Sequence, residues 1–456
     1  MTKNIISLLV LAATLLRVDV IFARDQDVLG QYIRQNFPAS LQISSAQLAQ
    51  LTWVLGHDRR SNDMDMQASA NGMHIEIVRA VTRLYCLQLL KSGRAQDYDD
   101  FISAQLKTNE NKTLTFNSFK KLSRHIQKLK SLDYQLLEVA TILSAVSLTS
   151  QAFTQAKILI DTKPLVADNL EFLSATLRKD PNIYPLTKNL VNDNISAKKL
   201  LYVLFPPQTN FRHMLYTEGG VGMFKYLRTM IKHQYINADE IDLWYAYWLV
   251  NIAGFRGHVE HAGSLYLTEP VFQAMNNLKS MLDEMVHAPN FNPLLPYLEY
   301  RAELLGFSSL PADEKLMLAH IGAMMRLYTV EEGQQLQIGY TNLNKQLKQE
   351  LAADFANSLI DYERLTPTYL PALLGNTLVL LNGDINKTVK TVLPIYHRAL
   401  RQYYQSVANG ALKPSVPLGF NNLSATKNVQ KLIESDTNNL AAIKIMSDGE
   451  VYLAES

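Results

Sequence analysis

Apolar residues recur at three- and four-residue spacing along most of this chain, and runs that alternate apolar with polar residues are few. The first spacing lines one face of a helix, whereas a half-buried strand needs the second. The sequence therefore predicts an all-α, multi-helical fold. Helices are expected over 27–35, 45–55, 73–91, 116–129, 134–147, 166–177 and 197–204. Further ones are expected over 222–232, 240–252, 270–286, 293–305, 312–328, 343–362, 394–405 and 427–434.

Pro206-Pro207 should end a helix, because the residue before a proline avoids the α region and proline donates no backbone hydrogen bond. Gly219, Gly220 and Gly222 interrupt the pattern again. This stretch is the natural boundary, giving helical domains over 24–206 and 207–434 and a less ordered tail over 435–456. No fixed repeat emerges, which disfavours a regular solenoid and leaves an irregular α-solenoid as the alternative architecture. The 240–253 segment, Glu-Ile-Asp-Leu-Trp-Tyr-Ala-Tyr-Trp-Leu-Val-Asn-Ile-Ala, is apolar on nearly every side after Asp242 and should be the central helix of the C-terminal half.

Composition excludes whole classes. With 47% hydrophobic and 19% charged residues the chain can bury a large core and is not a disordered protein. Lys and Arg number 44 against 42 Asp and Glu, so no broad positive field is available to hold a nucleic acid. Lys3 precedes an apolar run from Ile5 to Leu16 that Arg17 and Asp19 interrupt. That run is short for a bilayer span and has the form of a secretory signal over 1–23, cut after Ala23. Ile21 and Phe22 fit the cleavage site poorly, so an uncleaved anchor is the alternative; otherwise no transmembrane domain is expected. Cys86 is the sole cysteine, which rules out an internal disulfide and a cysteine-based zinc site, and its apolar helix makes it an inert buried thiol. A large exported chain without disulfides fits a bacterial periplasm, or secretion from a bacterium. The asparagine- and lysine-rich helical style resembles large helical proteins of intracellular bacterial pathogens, a likeness of composition that names no activity and leaves an effector as one form of the exported protein.

The richest chemistry follows the apolar helix in Gly254-Phe-Arg-Gly-His-Val-Glu-His-Ala-Gly-Ser264. Arg256, His258, Glu260 and His261 are the candidate catalytic residues. The two imidazoles could hold a divalent metal, zinc, manganese or iron, while Arg256 could clamp a phosphate or carboxylate. The order is not the His-Glu-x-x-His of zincins. Glu284 and His287 have the spacing of one half of a di-iron motif, but no second copy exists, and His287 is better placed as the end of its helix. His57-Asp58 is similar to the paired ligands of HD-type phosphohydrolases and His74 to their lone histidine, yet the order is reversed. A histidine-based phosphodiesterase would need His74 and Arg79 to meet His258 or His261 in space. No Gly-x-Ser-x-Gly elbow, P-loop or Rossmann fingerprint is present.

Two functions are thus expected of an exported helical protein. The first is binding of a protein partner at the envelope or in a host. The alternative is a metal- or histidine-dependent phosphoester hydrolase with its site on the 254–264 loop. Convergence of the distant histidines and arginines would favour the enzyme.

Overall fold

The computed structural model describes residues 25–55, 73–107, 112–146, 169–188, 198–201, 210–218, 222–360, 368–435 and 442–454. The expected signal over 1–23 and the His57-Asp58 pair lie outside them. In chain order the helices are α1 (25–36), α2 (Ser45–Leu51), α3 (Ile75–Ser92), α4 (Ala95–Leu106), α5 (Phe116–Lys128), α6 (Ser131–Val146) and α7 (Asn169–Lys179). Then come α8 (Phe211–Leu215), α9 (Gly222–Lys232), α10 (Ala238–Ala253), α11 (Glu269–His287), α12 (Leu294–Leu304), α13 (Ala312–Met324) and α14 (Val330–Thr341). The last are α15 (Lys345–Ile360), α16 (Leu370–Leu380), α17 (Ile385–Ala408), α18 (Asn421–Ser424) and α19 (Thr426–Glu434), before strands β1 (Ile443–Ile445) and β2 (Val451–Leu453). The fold is all-α, and none of its described helices is long and apolar enough to cross a membrane.

The described residues form two compact units. The first holds those up to 201 together with 242–269, and the second holds 210–241 and 270–454. From Asp242 onward α10 therefore packs with the N-terminal residues and is not the central helix of the C-terminal half. The cause is backbone contact. A Cβ at Gly254 would lie 2.6 Å from the Arg83 amide nitrogen of α3, so only glycine lets the end of α10 come this close.

In the first unit α3 is the hub, packing against α4, α5 and α6. Its Ile77, Val78, Val81, Leu84, Cys86, Leu87 and Leu90 are buried, each contributing about 1.5–3 kcal/mol if aliphatic and fully withdrawn from water. His74 caps its start by accepting a hydrogen bond from the Glu76 amide, and Gly93, in the left-handed region, ends it. Helix α4 starts with Asp97 accepting the Arg94 amide at 2.7 Å and the Arg94 guanidinium at 2.9 Å. Burial drives the Cys86 thiol further up from its ordinary value, consistent with an inert side chain.

In the second unit α12 packs on α13, and α14 on α17, with Gly333 of α14 set against the Leu305 carbonyl. Arg301 is wholly buried: its guanidinium donates to the Tyr297 hydroxyl at 3.4 Å and to the Leu327 carbonyl, and lies 4.6 Å from the Tyr328 ring centre. Within 435–456, residues 443–453 form an antiparallel hairpin that pairs Ile443 with Leu453 and Ile445 with Val451.

Candidate functional site

Three glycines set the 254–264 loop onto its unit. After Gly254 meets Arg83, Gly257 passes over Thr82, where a Cβ would stand 2.5 Å from the Thr82 Cβ. These contacts carry residues 255–258 along α3 to the turn that bears Arg79. The loop then crosses to α4. Gly263 sits at φ 112°, and a side chain there would strike the carbonyls of Asp100 and Phe101. The Ser264 amide donates to the Phe101 carbonyl at 2.8 Å, Gln105 donates to the Ser264 and Leu267 carbonyls at 2.7 and 3.0 Å, and the Ser103 hydroxyl bonds the Ala262 carbonyl. The Ser264 hydroxyl closes the loop by donating to the Ala253 carbonyl at 2.8 Å.

This scaffold brings Arg79 to His258. The Arg79 Nε donates to His258 Nδ1 at 3.2 Å, Arg79 Nη1 pairs with Glu76 at 2.6 Å, and the guanidinium lies 5.1 Å from the Phe255 ring centre. Arginine only donates, so Nδ1 of His258 must carry a lone pair and its proton resides on Nε2. Burial, then the charges of Arg79 and Arg256, lower the His258 pKa to about 4, which keeps the ring neutral at pH 7. Glu76 is the counter-charge. Burial alone would raise its pKa, but the Arg79 and Arg83 charges and the Arg79 hydrogen bond overcome it and hold the carboxyl at about 2.

His261 lies farther along the loop, with Nε2 3.2 Å from the Tyr32 hydroxyl and its ring edge-on to Phe37 at 5.1 Å. Burial lowers its pKa against the opposing Glu260 charge, so this ring too favours the neutral form. Glu260 pairs with Lys107 at 2.9 Å; burial raises its pKa, and the Lys107 hydrogen bond and charge bring it below the ordinary value. Arg256 and Val259 are exposed at the outer turn.

Of the residues singled out in the sequence, Arg79 and His258 are in contact, His74 caps the start of the same helix, and the charge of Arg256 acts on the His258 ring. Glu284 and His287 are on α11, with His287 its last residue. The imidazole–metal reading can be checked against the donors. A divalent ion on His258 would have to displace Arg79 from Nδ1 or force the other tautomer, and among the described residues no three His, Cys, Asp or Glu side chains gather as ligands. Five participants escaped sequence reasoning: Glu76, Phe255, Tyr32, Phe37 and Lys107. Only Glu76 left a signal, its place three residues before Arg79 in a helix, where opposite charges meet.

The chain belongs to the family of unknown function DUF6829, which matches residues 208–437. The match spans α8 to α19 and includes the 254–264 loop, while α3 lies outside it. No curated protein and no solved structure matches the chain.

Proposed function

We propose that the first unit hydrolyses a phosphoester with histidines of the 254–264 loop. The observation that carries this reading is the Arg79–His258 hydrogen bond, which joins residues 179 apart in sequence and fixes a neutral imidazole as an Nε2–H donor on the loop that also carries His261. In this reading His258 Nε2–H and Arg256 hold the phosphoryl oxygens. His261 gives its Nε2–H to Tyr32 and keeps the Nδ1 lone pair as general base. Water then attacks phosphorus, its proton passes to His261, the ester P–O bond breaks, and the proton leaves on the departing oxygen. The expected export signal sets this chemistry outside a bacterial cytoplasm.

The test is hydrolysis of bis(p-nitrophenyl) phosphate and p-nitrophenyl phosphate by the full chain, with and without EDTA. Turnover that survives EDTA and falls by about 10²-fold or more in His258→Gln and in His261→Gln supports the reading, that being the usual scale of one acid–base group. Turnover abolished by EDTA would instead favour the metal-dependent form. Binding of a protein partner is the second reading, favoured by Val259 being 53% exposed on a loop that its own unit holds in place. Because Cys86 is buried, a Val259→Cys variant carries one reactive thiol, and a crosslinker placed there tests this reading.

A further inference from the structure

We propose that His397 is a proton-operated latch between α15 and α17 in the second unit. Its Nε2 lies 2.7 Å from a Glu350 carboxylate oxygen and its Nδ1 lies 3.1 Å from an Asp354 carboxylate oxygen. Ionised carboxylates only accept, and only the imidazolium has an N–H on both sides. The protonated ring thus bolts two successive turns of α15 to α17. A neutral ring keeps one N–H, and its other lone pair then faces a carboxylate with no proton between them.

The two arms are unequal. Asp354 is nearly buried and also receives a hydrogen bond from Arg401, one turn along α17, at 3.0 Å. Glu350 is 36% exposed, and its other oxygen accepts from Gln346 at 3.1 Å. On loss of the proton, Nδ1–H stays on Asp354 and Glu350 turns to water, releasing the first turns of α15. Glu350 and Asp354 face the ring from α15, and on α17 Arg401 pairs with Asp354. Between the same helices Phe355 packs on Tyr396, 5.5 Å between ring centres, and burial pushes the Tyr396 hydroxyl up so that it brings no charge. Pro394 lies inside α17, three residues before His397, and removes the hydrogen bond that would tie this turn to the preceding one. The latch therefore stands beside a built-in weak point of its helix.

The experiment is amide hydrogen exchange of the full chain at pH 5.5 and pH 8, corrected for intrinsic exchange, read over 345–356. Protection should fall by about fivefold or more at pH 8, the scale of one partly exposed charge-assisted hydrogen bond. His397→Gln, which cannot titrate, and Glu350→Gln, which leaves a neutral acceptor at an exposed position, should each abolish the difference. Equal protection at both pH values in the wild type, or a difference that persists in either variant, overturns the proposal.

Discussion

Substituting Glu76→Gln tests the charge arrangement beneath the loop. The glutamine keeps the shape and one acceptor but leaves Arg79 between His258 and Phe255 without its anion. The Glu76 carboxyl is 18% exposed and titrates at about 2, against an ordinary 4.5. That depression is worth about 3 kcal/mol of stability at pH 7 by linkage. Because the folded value is the lower one, the contribution is complete above the unfolded value near 4.5 and is lost as pH falls toward 2. About half should be gone at pH 3. All three tryptophans, Trp53, Trp244 and Trp248, belong to the first unit, so urea unfolding followed by tryptophan fluorescence reads this unit alone. The variant should be about 3 kcal/mol less stable at pH 7, and the gap should shrink by about half at pH 3. Equal stabilities at pH 7, or a gap that does not change with pH, would refute the ion-pair reasoning.

Other outcomes follow from the same structure. Gly254→Ala places a methyl 2.6 Å from the Arg83 amide nitrogen and should destabilise the first unit by about 1–3 kcal/mol in the same fluorescence assay, as overpacking does. His320 is buried, donates through Nε2 to the Thr217 carbonyl at 2.8 Å, and burial lowers its pKa to about 4. Its unfolded form takes up a proton first, so the second unit should lose stability as pH falls from about 6.5 to about 4 and level off below, by about 3 kcal/mol in all; thermal unfolding by circular dichroism should show a loss in the wild type that is smaller in His320→Asn by that amount. Arg301→Ala should cost about 3–5 kcal/mol by opening a large void, whereas Arg301→Met should cost clearly less, because a buried cation that bonds no carboxylate among the described residues carries a desolvation penalty that leaves with the charge.

The helical class was legible because periodic apolar faces such as those of α3, α5 and α10 survive any tertiary context. Among the described residues five helices were not expected, the short α8 and α18 and three longer ones, each of the longer three for a local reason. In α4, Asp97, Asp99 and Asp100 obscure a narrow stripe made by Phe101, Ile102 and Ala104. In α14, Gly333 and Gly339 weaken the helical pattern, and they are there because α14 lies against the Leu305 carbonyl and the Asn386 backbone. In α16, Pro371 interrupts the apolar pattern but occupies the first turn, where its missing amide costs nothing. Pro394 misled in the opposite sense: the helix was expected to start there, and α17 runs through it from Ile385.

For the site, the residue types and the loop were legible, and the glycines marked a close backbone approach. Which helix they approached was not, because Arg79 and His258 are joined only by the return of 242–269 to the N-terminal residues. The Tyr32 and Phe37 contacts of His261 likewise have no local signature, since they come from α1 and the residue after it.

The central claim is that Arg79 fixes His258 as a neutral Nε2–H donor for an oxyanion. Histidine ¹⁵N NMR of the full chain at pH 7, with the His258 signals identified by their loss in His258→Gln, tests it directly. The account predicts a neutral ring protonated on Nε2 whose Nε2 resonance shifts on addition of inorganic phosphate. A charged ring, the Nδ1–H tautomer, or an Nε2 signal that ignores phosphate would contradict it.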